Sequence, residues 1–480
     1  MSLDRPYCAC ATPPGMSGIA VIRLAGGGAA AVVDRVFTLL RSAGNATSLS
    51  EMSAYTAAFG HIYDPKTSAH IDDVICTVFL APHSYTGEDT IEISCHGGAA
   101  ARQEILRVLY ENGARPAEPG EFTRQAFLSG KLDLSQAEAV MDVISADSKL
   151  ALEAAESQLN GALRSRISAI SSHIYRCFAS LEMIVEFPEH EDTPENTAHV
   201  SSELLVQLEA LRDLSVTYNQ GKLLRERMTV VLCGVPNSGK SSLLNSLAGY
   251  DRAIVTATAG TTRDTLEVFT VISGLPIRII DTAGIRETKD EIELMGVSRA
   301  YQAMQEADLI LWLFSPDTDT PDEERDLFSE MSMYCQNTET GILLSKSDLV
   351  DDAESDRYGL LLQQRLQESG SLSQIRFVES FSSVTGKGID AIAGQIIRFY
   401  EEKGQGKSSQ ILITNARHFD RIMLASSILS ETIELLNRGE SADIACSLLR
   451  SACEALGEIT GETVSEELVE TIFSRFCIGK

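Results

Sequence analysis

The stretch Gly234-Val-Pro-Asn-Ser-Gly239-Lys240-Ser241 decides the fold of this 480-residue chain. It follows the apolar run 228–233, which predicts a buried strand, and precedes 242–248, which has the pattern of a helix. Glycines in such a turn let backbone N–H groups converge, and the helix N-terminus adds a positive dipole end. This order predicts a phosphate-binding loop in which Lys240 reaches the β- and γ-phosphates and Ser241 binds Mg²⁺.

Three further motifs follow in the order expected of a GTPase. Thr261-Thr262 can supply a hydroxyl to the Mg²⁺ shell when a γ-phosphate is present, which is typical of a switch loop. Asp281-Thr-Ala-Gly284 follows an apolar run; its carboxylate would hold a Mg²⁺ water and its glycine N–H would face the γ-phosphate. In Ser345-Lys-Ser-Asp348, the last residue can accept hydrogen bonds from guanine N1–H and the exocyclic amine, which adenine cannot donate. Together these motifs predict GTP binding.

Two positions depart from the usual motifs. Ser345 stands where an asparagine usually touches the base and ties its loop to the phosphate loop, so we expect altered guanine affinity but unchanged guanine identity. Ile285 stands where Ras-like GTPases place a water-orienting glutamine, and an aliphatic side chain cannot position water. The catalytic group must then come from elsewhere. The charged stretch 286–293 offers candidates, although most of its charges are expected to form a solvated loop face.

Composition narrows the class of protein. The chain has 40 basic and 68 acidic residues and a net charge of −28, which argues against nucleic-acid binding by charge alone. RNA would need a local patch or a basic partner.

No stretch approaches the roughly 18 apolar residues of a membrane helix, and the first residues lack a signal region, so we expect a cytoplasmic protein. The ten cysteines lack metal-ligand spacing, which favours reduced thiols.

The chain changes character along its length. Short apolar runs bounded by glycine and proline predict strands at 19–22, 74–80 and 90–93, with a helix at 101–112. The candidate buried strands of the central α/β region are 228–233, 277–280, 309–314, 342–344 and 375–378. Two helical faces are predicted near the end, Ile422, Ala425, Leu429, Ile433, Leu436 and Ile444, Leu448, Ala452, Leu456, Ile459.

These patterns predict a multidomain chain of mixed class. The predicted segments are a mixed N-terminal domain (1–120), a first helical part (121–222), an α/β domain (223–403) and a second helical part (404–480). We interpret the two helical parts as one domain split by the inserted α/β domain. Two independent helical domains are the alternative.

With these motifs, the chain resembles the MnmE (TrmE) family of tRNA-modification GTPases over nearly its whole length. Beside the nucleotide motifs, the resemblance is carried by Ala11-Thr-Pro-Pro-Gly15 with Arg23, Gly87-Glu-Asp89, Glu92-Ile-Ser-Cys-His-Gly-Gly98, Pro119-Gly-Glu-Phe-Thr123, Ala126-Phe-Leu-Ser-Gly-Lys-Leu-Asp-Leu-Ser-Gln-Ala-Glu138 and the terminus Phe476-Cys-Ile-Gly-Lys480.

The resemblance implies an α+β folate-binding N-terminal domain, an all-α helical domain and a Ras-like P-loop GTPase domain inserted into it. It implies a homodimer that works in a heterotetramer with an MnmG-type FAD protein. Together they would add an aminomethyl or carboxymethylaminomethyl group to C5 of the tRNA wobble uridine. The one-carbon unit would come from 5-formyl- or methylene-tetrahydrofolate. GTP is the nucleotide substrate, K⁺ and Mg²⁺ are the implied cations, and neither DNA nor a membrane is an implied partner.

Site residues are carried over by motif. K⁺ would be held by Asn237, Thr256, Thr258 and Thr261, and Mg²⁺ by Ser241 and Thr262, while Glu293 would orient the attacking water. The GTP site comprises Asn237, Ser238, Gly239, Lys240, Ser241, Ser242, Thr256, Ala257, Thr258, Ala259, Gly260, Thr261, Thr262, Asp281, Thr282, Ala283, Gly284, Ser345, Lys346, Ser347, Asp348, Ser382, Ser383 and Val384.

For the folate, the resemblance implies Arg23, Glu92, Lys131 and Lys480, which supply an acidic acceptor for the pterin and cations for the glutamate tail. Which residue meets which end stays open, and so does the alternative that these are solvated surface charges. Cys477 is either a catalytic nucleophile or a structural or tRNA-proximal thiol.

A second function class is a regulatory or assembly GTPase, such as a ribosome-maturation switch, in which hydrolysis only times partner binding. The nucleotide motifs do not separate it from the enzyme. Arg23, Glu92, Lys131 and the Lys480 terminus favour the enzyme, because a switch needs no folate site. A membrane-associated GTPase would need an apolar or basic amphipathic anchor, and none is evident.

Overall fold

The computed structural model describes residues 5–42, 45–186, 194–250, 266–281, 302–315, 338–351, 357, 359–360, 375–403 and 411–479. The chain divides into two compact units. The first contains Met1–Met141, Gln158–Ala179 and Cys446–Lys480, and the second contains Asp142–Ser157 and Ser180–Ala445. Within the described residues, no helix is both long and apolar enough to cross a bilayer.

A seven-stranded sheet organises the N-terminal part of the first unit. Its strands are β1 (Tyr7–Cys10), β2 (Ile19–Ala25), β3 (Phe37–Ser42), β4 (Thr56–Tyr63), β5 (His70–Phe79), β6 (Thr90–His96) and β7 (Arg115–Pro116). Their order in the sheet is β3-β4-β5-β6-β2-β1-β7. All neighbours are antiparallel except β1 and β7. The strands predicted at 19–22, 74–80 and 90–93 are present, while β3 and β4 were not predicted from the sequence.

Thirteen helices have defined bounds among the described residues. They are α1 (Ala29–Asp34), α2 (Ala99–Glu111), α3 (Glu121–Leu128), α4 (Leu134–Ser145), α5 (Lys149–Leu159), α6 (Ala162–Glu186), α7 (Pro194–Val216), α8 (Tyr218–Glu226), α9 (Lys240–Ala248), α10 (Ile389–Glu402), α11 (Ala416–Asn437), α12 (Ala442–Thr460) and α13 (Glu466–Phe473).

The strands of the first sheet alternate between two environments. In β2, Ala20, Ile22 and Leu24 are fully buried, and they pack in one core with Val33 of α1 and Ile105 of α2. The side chains between them point to the opposite face of the sheet. Helices α1 and α2 therefore cover one face, while on the other face Tyr7 and Ala25 pack in a smaller core with Phe122 of α3.

A six-stranded sheet forms the α/β part of the second unit. Its strands are β8 (Met228–Cys233), β9 (Leu266–Ile272), β10 (Leu275–Asp281), β11 (Leu309–Phe314), β12 (Glu339–Leu344) and β13 (Ile375–Ser380), in the order β13-β12-β11-β8-β10-β9. All neighbours are parallel except the β9–β10 hairpin. Every residue of β11 is buried, as expected for a strand with both faces covered. The predicted mainly parallel sheet is confirmed, with β9 as an unpredicted edge strand.

The helical part of the second unit is held by two long helices, α7 and α11, which pack against each other. Leu204, Leu208 and Leu211 of α7 are buried, and so are Ile422 and Leu429 of α11. Side-chain hydrogen bonds fix their relative register: Ser201 Oγ donates to Asn437 Oδ1 at 3.0 Å. The side chain of the N-cap residue Asn415 accepts a hydrogen bond from the backbone of Arg417 and so starts α11.

Candidate functional site

The phosphate-loop stretch lies between β8 and α9, as the sequence predicted. Its backbone adopts left-handed conformations at Gly234, Asn237 and Gly239, with φ of +139°, +63° and +95°. A Cβ on Gly234 would lie 2.5 Å from the carbonyl oxygen of Leu313, so a larger residue would collide with β11. The loop therefore needs glycine at 234 for space as well as for conformation.

Lys240 is folded back onto this loop. Its Nζ donates to the carbonyl oxygens of Gly234 and Val235, at 2.7 Å each, and the residue is only 4% exposed. Ser238 is also buried, whereas Asn237 and Ser242 are exposed on the loop and the first turn of α9. The lysine ammonium is thus held within the loop, and the phosphates that this loop is expected to bind would contact it.

Ser241 and Asp281 meet at the carboxyl edge of the sheet. β8 and β10 run parallel, so the end of β10 lies beside the phosphate loop that follows β8. Ser241 Oγ donates to Asp281 Oδ2 at 3.0 Å. A hydroxyl and a carboxylate are hard oxygen donors that suit Mg²⁺, which usually takes one or two protein ligands and completes its shell with phosphates and water. Accordingly, the described residues contain no dense His, Cys, Asp and Glu cluster for a metal.

The guanine loop follows β12 and touches the phosphate loop. A Cβ on Gly239 would lie 3.4 Å from the Ser345 Cβ, so the two loops are in contact. The buried Ser345 hydroxyl and its backbone N–H both donate to the Phe314 carbonyl oxygen, at 3.1 and 2.8 Å. Asp348 is exposed, as a base-contacting carboxylate must be. The serine therefore anchors its loop to β11 and packs on Gly239, which offsets part of what the missing asparagine would supply.

The loop after β13 contains the remaining described residues of the predicted GTP site. Ser382 is fully buried, and its Oγ accepts hydrogen bonds from the backbone N–H groups of Val384 and Thr385, both at 3.2 Å. Ser347 N–H donates to the Phe381 carbonyl oxygen at 3.1 Å, which joins the two loops. Val384 is 86% exposed at the tip. Ser382 thus shapes the loop, while Ser383 and Val384 form its surface.

Several predicted residues lie outside the described part of the chain. They are Thr256, Ala257, Thr258, Ala259, Gly260, Thr261, Thr262, Thr282, Ala283, Gly284, Glu293 and Lys480.

A second constellation is built on the first sheet. Arg23 of β2 and Glu92 of β6 are directly opposite each other in the antiparallel register. Arg23 Nε and Nη2 donate to Glu92 Oε1 at 2.9 and 2.7 Å, and the side chains are 17% and 28% exposed. The Arg23 guanidinium carbon lies 5.5 Å from the ring centres of both Tyr85 and Phe122. Arg23 is thus held by an ion pair and two aromatic faces.

Lys131 borders the same region. The loop 84–89 leads into β6, and a Cβ on Gly87 would lie 3.8 Å from Lys131 Cε. Lys131 is exposed, unlike the neighbouring Asp133, which is buried. The same loop is fixed from β1, because the Tyr7 hydroxyl donates to Glu88 Oε2 at 3.1 Å. Lys131 therefore presents its ammonium beside the loop that carries Gly87-Glu-Asp89.

The C-terminal segment packs on the first sheet. Ile478 pairs with Pro119, and the Gly120 N–H donates to the Cys477 carbonyl oxygen at 3.4 Å. A Cβ on Gly479, whose φ is +96°, would lie 2.4 Å from the Cys10 carbonyl oxygen at the end of β1. Through Gly479, the terminus therefore lies against the strand next to that of Arg23. The Cys477 side chain is exposed.

Tyr85 and Phe122, the aromatic partners of Arg23, were not predicted from the sequence. Both lie inside or beside the quoted motifs, in the loop before β6 and in α3. Aromatic residues next to charged motif residues are a weak signal, since aromatic residues are more often core. Tyr85 is held in place by a 3.0 Å hydrogen bond between its hydroxyl and that of Thr123.

Comparisons with known proteins agree with this architecture. A family model described as MnmE helical domain matches residues 134–477, and one described as GTP-binding protein TrmE N-terminus matches residues 6–131. The tRNA modification GTPase MnmE of Ligilactobacillus salivarius (strain UCC118) is 36% identical over 474 residues, covering 98% of this chain and 97% of that protein. Its counterpart from Streptococcus pyogenes serotype M28 (strain MGAS6180) is 38% identical over 485 residues, covering 100% of both.

Solved structures similar to part of the chain include the G domain of the T. maritima FeoB iron transporter, at 24% identity and a TM-score of 0.27, covering 36% of this chain and 98% of that one. Another is Era bound to MgGDPNP and 16S ribosomal RNA nucleotides, at 22% identity and a TM-score of 0.29, covering 42% of this chain and 66% of that one. The family assignment rests on the full-length relatives and the family models. The chain is a GTP hydrolase and belongs to the MnmE family of tRNA modification GTPases.

Proposed function

We propose that this GTP hydrolase acts in tRNA modification. With an MnmG-type FAD protein, it adds an aminomethyl or carboxymethylaminomethyl group to C5 of the wobble uridine. The carbon comes from a tetrahydrofolate one-carbon unit. Support comes from the names of the full-length relatives and from the constellation on the first sheet.

The observation that carries the proposal is the Arg23–Glu92 pair between two aromatic rings, with the C-terminal segment docked against β1 nearby. A GTPase that only times partner binding needs no second polar site of this kind. Arg23, Glu92 and Lys131 are the proposed folate contacts, joined by Lys480, which directly follows the docked Gly479. Glu92 Oε2 has no hydrogen-bond partner among the described residues, which leaves an acceptor for pterin N–H groups.

The nucleotide site has a proposed cation set. Ser241 and Thr262 bind Mg²⁺, with Asp281 holding a Mg²⁺ water, and the Ser241–Asp281 contact supports that set. Asn237, which is exposed in the phosphate loop, binds K⁺ together with Thr256, Thr258 and Thr261. Bound there, a monovalent cation supplies positive charge near the transferring phosphate. Glu293 orients the attacking water.

The proposed working form is a homodimer within a heterotetramer that contains the MnmG-type partner, located in the cytoplasm. The proposed domains are 1–120, 121–222, 223–403 and 404–480, with the second and fourth forming one helical domain. The net charge of −28 supports a shared tRNA site, because a chain this acidic needs a basic partner surface to attract RNA.

Nucleoside analysis of tRNA from cells that lack this protein tests the proposal. We expect an unmodified wobble uridine, restored by the wild-type gene but not by an Arg23→Ala variant. The control is Arg35→Ala, since Arg35 also lies in the first unit but donates to the Asn112 carbonyl oxygen instead. Unchanged tRNA together with defective ribosomes would replace this proposal with the assembly GTPase.

A further inference from the structure

A row of outward-facing side chains follows β6 on the sheet face opposite α1 and α2. Glu92, Ser94 and His96 point to this face, while Ile93 and Cys95 between them are buried in the core. A strand rises about 3.4 Å per residue, so Glu92 and His96 are about 14 Å apart along the face. Ile19 of β2 is opposite His96, just as Arg23 is opposite Glu92.

His96 is held by a buried carboxylate. Its Nδ1 lies 2.6 Å from Asp72 Oδ1, and its backbone N–H donates to Asp72 Oδ2 at 2.8 Å. Asp72 is 7% exposed and also accepts the Asp73 N–H at 3.0 Å, whereas the His96 side chain is 73% exposed. Nδ1 therefore carries the hydrogen, and Nε2, which has no partner among the described residues, is presented to solvent.

The surroundings favour a positive charge on this ring. The hydrogen bond and the charge of Asp72 raise the pKa of His96, and the charge of Asp73 adds to this effect. Both carboxylates come from β5, while Ile19 on the β2 side is uncharged. A protonated His96 donates from Nε2, so its free partner on the sheet face must be an acceptor such as a carboxylate.

At the other end of the row, the Arg23 guanidinium is already paired. Arg23 donates two hydrogen bonds to Glu92, so this pair presents a remaining carboxylate oxygen between aromatic rings. This remaining carboxylate oxygen of Glu92 suits a heterocycle with N–H donors. A ligand that also carries carboxylates would gain from a further donor along this face, in addition to the proposed Lys131 and Lys480.

We propose that His96, positioned by Asp72, binds the glutamate carboxylates of a reduced folate whose pterin meets Glu92. This inference rests on the proposed folate site and adds a residue to it. The separation along β6 matches a two-ended ligand with a rigid spacer, and His96 with Asp72 adds a donor for the tail to the proposed Lys131 and Lys480.

Calorimetry with two ligands tests the inference. The first is 5-formyl-tetrahydrofolate, and the second is its pteroate analogue, which lacks the glutamate. We expect His96→Gln to weaken the first about tenfold, the size of one charge-assisted hydrogen bond, and to leave the second unchanged. His70→Gln is the matched control, because His70 pairs with Asp73 at 2.9 Å, also on β5, and should change neither affinity.

The pH dependence gives a second readout. Binding of the glutamate-bearing ligand should weaken as the pH rises through the pKa of His96, and Asp72→Asn should move this loss to lower pH. His96→Gln should remove it. Equal weakening of both ligands by His96→Gln, or no weakening of either, overturns the inference. No binding of either ligand to the wild-type protein would instead refute the proposed folate site itself.

Discussion

At the scale of single residues, neighbouring contacts in the nucleotide site compensate in part for the serine at position 345. Ser345 replaces the usual asparagine, yet its hydroxyl donates to the Phe314 carbonyl oxygen and its side chain packs against Gly239. The contact between guanine loop and phosphate loop is thus made by packing. What the serine cannot supply is an amide that reaches the base. We therefore expect guanine recognition to depend more strongly on Asp348.

Asp348→Asn should weaken GTP and favour xanthosine triphosphate, because an amide can donate to the C2 oxygen of xanthine. Competition between the two nucleotides for a fluorescent GTP analogue measures the change. Asp390→Asn is the control, since Asp390 is an exposed carboxylate in the first turn of α10. Retained preference for guanine in the Asp348 variant would show that another group reads the base.

Glu293→Ala should leave GTP binding intact and slow hydrolysis by roughly 10²-fold, as expected when a water-orienting group is removed. Single-turnover hydrolysis at saturating protein separates this effect from binding. Glu287→Ala, in the same charged stretch, should hydrolyse GTP normally. If the two variants behave in the opposite way, the water-orienting role belongs to Glu287.

At the scale of elements, helical periodicity predicted most of the buried face of each helix but misplaced the start of one of them. The predicted face of α11 is confirmed, because Ile422, Ala425, Leu429 and Leu436 are buried and Ile433 is half-buried. On α12 the predicted face is wrong at its start: Ile444 is 47% exposed, and Ala445 and Leu449 are buried instead. Near a helix start, one turn of apolar residues fits two neighbouring stripes equally well. Only the packing surface decides between them.

The docking of the C-terminal segment on β1 depends on one glycine, Gly479. Gly479→Ala places a methyl group 2.4 Å from the Cys10 carbonyl oxygen in a left-handed conformation, so the segment should undock from β1. We expect faster hydrogen exchange in residues 476–479 and loss of tRNA modification, with GTP hydrolysis nearly unchanged.

The control for that variant is Gly439→Ala, which also has a positive φ of +71° but no atom within 4 Å of the new methyl group. It shares the conformational cost of about 1–2 kcal/mol without the collision. If Gly479→Ala keeps the exchange protection of the wild-type terminus, the docked segment tolerates a side chain and the argument from close packing fails.

At the scale of the whole molecule, hydrolysis should require K⁺. The exposed Asn237 lies in the phosphate loop, where its amide oxygen can bind a monovalent cation beside the phosphates. A monovalent cation that joins two nucleotide sites would therefore couple catalysis to the pairing of two chains. K⁺, Rb⁺ and NH₄⁺ are expected to fit the same set of ligand oxygens, whereas Na⁺ is too small for that set.

GTP turnover at constant ionic strength should be high in K⁺, Rb⁺ and NH₄⁺ and low in Na⁺. With a transition-state analogue, distance measurements between labels on the two α/β domains of the dimer should show their approach only with the larger ions. Asn237→Ala should remove the preference. Equal turnover in Na⁺ and K⁺ would contradict the cation site.

The sequence by itself determined the phosphate loop, the guanine loop and the parallel sheet that carries them. Each is a short contiguous stretch whose glycines, apolar runs and order along the chain dictate the local backbone. Tertiary structure alone decided that Arg23 pairs with Glu92, which is 69 residues away, and that Asp72 holds His96, which is 24 residues away. It also decided that Gly479 docks on β1. These contacts depend on strand register and chain return, which are set by the packing of the whole sheet and which no local pattern encodes.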